Sequence, residues 1–210
     1  MAISYSQKTD RELVIACQAR DSGAFEELVR RYQKTVYHLL YQLAPDWHDT
    51  ADLSQEVFIK VWRSINSLRN PAAFKIWLTQ IVTNLFYDEL RKRPKQVPTI
   101  SMDDNDDFDG VMQASKEIPD SHSLPDEVVM NQEISVVIRK AMAKLPEQFR
   151  VAIVLREIEG LTYEEIAVIM KTEMGTVKSR IARARMKLQD LLGPYLNQST
   201  QVKDVKTTEV

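Results

Sequence analysis

Thr162-Tyr163-Glu164-Glu165-Ile166-Ala167-Val168-Ile169-Met170-Lys171-Thr172-Glu173-Met174-Gly175-Thr176-Val177-Lys178-Ser179-Arg180-Ile181-Ala182-Arg183-Ala184-Arg185 is the stretch whose reading decides the fold. It opens on a capping box, a hydroxyl and a carboxylate three residues apart that satisfy the free N–H groups of a first helical turn. Ile166, Ala167, Ile169 and Met170 then keep helical spacing. A short polar break, Lys171-Thr172-Glu173, precedes a second helix that the pattern carries to about Leu192. Two helices joined by so short a turn are the signature of a helix-turn-helix.

The second helix divides cleanly by face. At about 100° per residue, Val177, Ile181, Ala184 and Leu188 fall in one narrow arc, the core face. Ser179, Ala182, Arg183 and Met186 point the opposite way, with Lys178 and Arg185 on one flank and Arg180 and Lys187 on the other. Positions 178 to 187 hold five bases and no acid. Short side chains and arginine facing base edges, with bases on both flanks facing phosphates, suit a DNA-reading helix. A basic helix face alone is ordinarily a solvated surface. Here the capping box, the short turn, the small Gly175 and the local excess of positive charge agree, and nucleic-acid binding is the expectation.

Working outward, the same block begins at Pro125-Asp126, runs as a helix to about Leu145, and continues from Pro146 to a left-handed cap near Gly160. The N-terminal block is helical throughout. Thr9-Asp10-Arg11-Glu12 is another capping box, ahead of Leu13, Ala16 and Cys17. Phe25, Leu28, Val29, Tyr32, Val36, Leu39, Leu40 and Leu43 share one face of a helix that Pro45 ends. Leu53, Val57, Phe58, Val61, Trp62 and Ile65 form a wide apolar stripe over about 49–65. Asn70-Pro71 reads as a cap with proline at the first helical position, and a helix over Phe74 to Ile81 is followed by another from Leu85.

Charge separates the blocks. Residues 1–97 carry 14 Lys+Arg against 11 Asp+Glu, residues 98–128 carry 1 against 9, and residues 129–195 carry 11 against 8. The middle segment, with Asp103-Asp104-Asn105-Asp106-Asp107, has few apolar residues and repels itself, so it reads as a flexible linker. The expectation is an all-α chain: a helical domain over 8–97, an acidic linker over 98–126, a helix-turn-helix domain over 127–195 and a polar tail over 196–210.

Other classes are poorly served. The 210 residues are 44% hydrophobic with a net charge of −2, and hold no apolar run of membrane-spanning length. The N-terminus lacks the order of a secretory signal. The single Cys17 forbids an internal disulfide and fits a reducing cytoplasm. Neither a cysteine-rich zinc site nor a cofactor loop is present, so no metal, cofactor or small-molecule substrate is expected.

In the first domain, Asp49, Asp52, Gln55 and Glu56 crowd the polar side of the third helix. Two of these acids serve the helix dipole; a contact surface for a basic partner accounts for all four. Phe74, Trp77, Phe86 and Tyr87 interleave with Lys75, Asn84, Arg91, Lys92 and Arg93, the mixture that stacks and holds unpaired nucleotides. The spacing of Phe74 and Trp77 with Leu78 and Ile81 also fits core positions, and Asn84 reads equally as a base-reading amide or as a helix cap. Five bases on one helix fall short of the ~6–10 phosphate contacts of a strong independent binder, so a larger partner is expected to hold the second domain on DNA.

These segments resemble the extracytoplasmic function group of bacterial RNA polymerase sigma factors. Asp49-Thr50-Ala51-Asp52-Leu53-Ser54-Gln55-Glu56-Val57-Phe58 looks like the polymerase-binding motif of region 2, and Phe74-Lys75-Ile76-Trp77-Leu78 with Ile81 and Asn84 looks like its −10 segment. Leu145-Pro146-Glu147, Leu155-Arg156-Glu157, Gly160 to Ala167 and Gly175 to Arg185 look like region 4.

The resemblance implies that Asp49, Asp52, Gln55 and Glu56 grip core polymerase at its β and β′ subunits. It implies −10 contacts from Lys75, Trp77, Asn84, Arg91 and Arg93, with Asn84 capturing a flipped base. It implies −35 contacts from Thr176, Lys178, Ser179, Arg180, Ala182, Arg183 and Lys187. Promoter DNA and a separate anti-sigma factor are the further partners it implies, and the acidic linker would thread polymerase channels. Ala51 stands where the family often has an acid, and Ala182 where some members have a larger residue, so their promoter preference does not transfer. The competing reading is a free-standing helix-turn-helix regulator, which would bind its promoter tightly without polymerase. A helical metalloenzyme built on Asp49, Asp52 and Glu56 has no pocket signal.

Overall fold

The computed structural model describes residues 5–93 and 125–205 and contains only helices there. In chain order these are α1 (Asp10–Gln18), α2 (Ser22–Leu43), α3 (Thr50–Ser64), α4 (Phe74–Lys92), α5 (Pro125–Ala143), α6 (Glu147–Ile153), α7 (Tyr163–Met170) and α8 (Met174–Val205). All but the last two residues of the expected linker, 98–126, lie outside the described residues.

The first four helices form one bundle. Both oxygens of the α1 capping box are used: Thr9 Oγ1 accepts from Glu12 N and the Glu12 carboxylate accepts from Thr9 N at 2.7 Å. Asp21 caps α2 by accepting from the amides of Gly23 and Ala24. The apolar arcs meet at Leu13, Cys17, Leu28, Leu40, Val57, Val61, Phe74 and Phe86, all at 0–1% exposure. Burial at this level makes a large-to-small change at Leu28 or Leu40 worth ~2–5 kcal/mol. An additional turn at Tyr5–Gln7 precedes α1, its Tyr5 ring lying where a Cβ on Gly23 would be 2.6 Å away, so α2 needs a glycine there.

The second bundle packs α5, α6 and α7 on α8. The expected core arc holds, with Val177, Ile181 and Ala184 at 0–1% exposure and Leu188 partly buried. The Thr162 capping box forms in full, and α7 ends on Lys171 in the left-handed conformation, φ 51°. Gly160 takes φ +70°, the backbone state expected of it.

Three expectations need correction. The break placed at Asn84 does not exist: α4 runs unbroken from Phe74 to Lys92. Thr79 and Thr83, which interrupt the apolar pattern, are buried and return their hydroxyls to the carbonyls of Lys75 and Thr79, so they stay helical and Asn84 caps nothing. The helix after Pro146 is not uniform, because Val154–Ile158 widens into a π-helical turn in which Glu159 N–H donates to Val154 O at 3.1 Å. Finally, α8 passes Leu192 and continues to Val205 with Pro194 inside it, so much of the expected tail is helical. An interior proline costs a helix one backbone hydrogen bond and crowds the carbonyl four residues back, which is why the sequence pattern stops short of Pro194.

Candidate nucleic-acid interface

On α8 the outward face stands as its periodicity required. Lys178, Ser179, Ala182, Arg183, Met186 and Lys187 are exposed; Thr176 and Arg180 are half-buried. Ser179 Oγ donates to Thr176 O at 2.9 Å, which leaves the hydroxyl oxygen able to accept. A Cβ on Gly175 would meet nothing within 4 Å, so the fold itself does not demand glycine there.

The flank with Lys178 and Arg185 carries side chains that sequence reasoning did not single out. Tyr163 lies under two cations, Lys178 at 5.7 Å and Arg156 at 4.8 Å from the ring centre. Arg156 also donates to Leu161 O at 2.8 Å. Glu157 Oε1 accepts from Arg185 Nη2 at 2.5 Å and from Nε at 3.2 Å. Arg156 and Glu157 both lie within the widened turn at 154–158, and nothing in the local apolar pattern signals it.

On α4, Trp77, Asn84 and Arg91 recur every seventh residue and form one line down the helix. Trp77 and Asn84 are half-buried and Arg91 is exposed. The other two residues expected at this site lie elsewhere. Lys75 sits roughly half a turn away from Asn84 about the helix axis. Arg93 is turned toward the loop before α3, where it donates to Asp49 Oδ2 at 2.5 Å and lies 3.7 Å over the ring of Trp47. Arg93 and Asp49, expected to serve DNA and polymerase respectively, are therefore each other's partners. Phe74 is core, as its spacing allowed.

On α3, Asp52 and Gln55 are exposed on one side of the helix, and Glu56 lies 3.7 Å from Lys60. Asp49 makes no side-chain cap to α3. Among the described residues no group of three or more His, Cys, Asp or Glu side chains could hold a metal ion.

The two bundles touch, and the contact covers part of the α4 line. A cavity of about 480 Å³ lies between Asn84, Tyr87, Asp88, Leu90 and Arg91 on α4 and Ile169, Met170 and Lys171 at the end of α7. Lys75 Nζ is 3.9 Å from Glu159 of the second bundle, and Arg139 donates to Tyr41 Oη. Burial pushes the Tyr87 hydroxyl up to about 12, against the opposing pull of Arg180. Arg150 is 6% exposed and caps the end of α5 by donating to the carbonyls of Met142 and Ala143.

Comparison with known proteins follows the same division. Residues 28–96 match the family model for sigma-70 region 2, and residues 135–188 match that for sigma-70 region 4. The chain is 35% identical over 92% of its length to the RNA polymerase sigma-H factor of Pseudomonas aeruginosa, covering 99% of that protein. It is 37% identical to the ECF RNA polymerase sigma-E factor of Escherichia coli K12, over 90% of this chain and 97% of that one. Among solved structures, the sigma factor RpoE of Bartonella quintana, crystallised with the anti-sigma factor NepR, superposes with a TM-score of 0.60 at 29% identity over 80% of this chain and 96% of that one. The two family models and relatives matched over nearly their whole length lead to one assignment: the chain belongs to the extracytoplasmic function group of RNA polymerase sigma factors, which direct transcription initiation.

Proposed function

We propose that the two bundles divide promoter recognition between them while core RNA polymerase supplies most of the affinity. The observation that carries this reading is the outward face of α8, where Lys178, Ser179, Ala182 and Arg183 are exposed over a fully buried Val177–Ile181–Ala184 seam. In this reading Ser179, Ala182 and Arg183 face base edges of the −35 element in the major groove. Thr176, Lys178, Arg180 and Lys187 meet phosphates.

The first bundle reads the melted −10 strand along Trp77, Asn84 and Arg91, with Asn84 offering an amide to an unpaired base; Lys75 and Arg93 approach the strand only through the ends of α4. Asp52, Gln55 and Glu56 offer polymerase an exposed acidic side of α3, and Asp49 supports that surface through Arg93. The 9 acids against 1 base of residues 98–128 suit a path through basic polymerase channels. The chain is an initiation factor without catalytic chemistry of its own. It acts in the cytoplasm and is held in check by a separate anti-sigma protein.

Run-off transcription on a library of promoter-sized duplexes, with this protein and sigma-free bacterial core polymerase, tests the reading. Specific transcripts that need both proteins support it, and their shared upstream sequences define the −10 and −35 elements. Tight binding of the protein alone to such duplexes, with no initiation by any compatible core, would instead favour a free-standing regulator.

A further inference from the structure

We propose that Glu157 is a positioning residue that holds Arg185 off the DNA backbone, and so limits how strongly the second bundle grips DNA without polymerase. The inference rests on α8 being the DNA-reading helix. Arg185 lies on the same flank as Lys178, about 20° from it around the axis, where a free guanidinium would reach a phosphate. It is instead engaged by Glu157 through two of its nitrogens, at 2.5 and 3.2 Å to the same carboxylate oxygen.

The pair does little for the fold. Its side chains are 49% and 56% exposed, and ion pairs so open to water contribute little stability. Yet its construction is specific. Glu157 meets α8 from within the π-helical turn at Val154–Ile158, and such turns are frequent at functional sites. The neighbouring Arg156 is spoken for as well, by Leu161 O and the Tyr163 ring. Of the cations on this flank, Lys178 alone stays exposed with no carboxylate paired to it among the described residues. An acid set inside a basic footprint lowers affinity for every duplex equally, and so leaves sequence choice to the outward face. For a chain whose region 4 should settle on DNA only beside polymerase, that is a use for a residue that otherwise opposes binding.

The experiment measures binding of the full chain to a non-promoter duplex across a salt series, for the wild type, Glu157→Gln, Arg185→Gln, the double variant, and Lys178→Gln as control. Each phosphate newly neutralised steepens the log–log salt slope by about 0.9, which corresponds to about eightfold in affinity near 0.1 M salt. The expected result is that gain for Glu157→Gln, its loss in the double variant, and little change in slope for Arg185→Gln alone. Three outcomes overturn the proposal while leaving the functional reading standing. One is an unchanged slope in Glu157→Gln. Another is a gain that survives in the Arg185→Gln background, which would mean that Glu157 acts by its own charge. The third is a slope loss near 0.9 in Arg185→Gln alone, which would place that guanidinium on a phosphate already; this arm decides the matter even if Glu157→Gln fails to fold. If Lys178→Gln also leaves the slope unchanged, α8 is not the DNA surface, and the functional reading falls together with the proposal.

Discussion

The guanidinium of Arg93 stacks over the indole of Trp47, 3.7 Å from the ring centre, and so ties the last turn of α4 to the loop that leads into α3. Trp47 in turn stacks on the buried Phe86 at 5.3 Å, and Asp49 accepts from the same guanidinium. The arrangement links the start of α3 to the end of α4 through one side chain. Replacing Arg93 with alanine removes a stacked cation and leaves Asp49 without its partner, at a cost of about 1–2 kcal/mol. The two join through Nη2 and Oδ2, while Asp49 Oδ1 and Arg93 Nε are buried with no hydrogen-bond partner among the described residues, so the neutral pair Asp49→Asn with Arg93→Gln should cost less than the sum of the singles. All three tryptophans, Trp47, Trp62 and Trp77, lie in the first bundle, so the fluorescence of denaturant titrations reads this directly. Additive losses in the double variant would show that the two side chains do not act as a pair.

How much of this was legible beforehand depended on distance along the chain. The Val177–Ile181–Ala184 seam, both capping boxes and the Asn70 cap are local features, and the sequence pattern yields them because helix period and N-terminal hydrogen bonding are short-range physics. Asn84 misled because Thr83-Asn84 has the composition of a cap, while what keeps α4 continuous is the burial of Thr83 against other helices. The Asp49–Arg93 pair spans 44 residues and Lys75–Glu159 joins separate bundles, so neither leaves a local trace. The π-helical turn, Val154–Ile158, begins inside the run Val151 to Leu155, which is buried throughout and shows no period to interrupt.

Contact between the bundles predicts a free protein in which the second bundle closes over part of α4. Glu159, with its side chain only 6% exposed, faces Lys75 at 3.9 Å, while the end of α7 stands over Asn84 and Arg91. One such pair contributes at most about 1 kcal/mol, which is roughly a fivefold change in the open population. Glu159→Lys should therefore open the bundles several-fold, and the swap Lys75→Glu with Glu159→Lys should close them again. Energy transfer between dyes on the two bundles measures this, with high salt mimicking the single variant. Equal transfer in all three proteins would remove the ion pair as a determinant of closure.

The two exposed surfaces should fail independently. Arg183 is exposed on α8 and remote in sequence from the exposed Asp52 and Gln55 on α3. If Arg183 makes a two-pronged base contact, Arg183→Ala costs about 1–3 kcal/mol of promoter discrimination and leaves core-polymerase affinity intact. Asp52→Ala with Gln55→Ala weakens core binding instead. Titration of core polymerase with each labelled variant, beside competition between promoter and non-promoter duplexes, separates the two. Weaker core binding by a folded Arg183→Ala protein would contradict the assignment of α8.

Acid should loosen the first bundle through Glu27. Its carboxylate accepts from Arg30 Nε and Nη2 at 2.7 Å each and from Arg31 Nε at 2.8 Å. Arg31 also donates to Asp10 and to the carbonyls of Ser6 and Lys8, so Glu27 anchors the cation that gathers the N-terminal turn. The guanidinium hydrogen bonds, Arg30 first, hold the Glu27 carboxyl down at about 2, below the ordinary glutamate value. Because the folded value is the lower one, this stability is fully present above the ordinary value and is lost as pH falls from there toward about 2. Glu27→Gln should thus be destabilised at neutral pH, and its deficit should shrink as the wild type becomes protonated, until the two proteins converge. Denaturant midpoints from tryptophan fluorescence, taken in steps from pH 7 downward, test the convergence. A deficit that stays constant with pH would mean that the glutamine disrupts packing at the Arg31 hub rather than removing a charge.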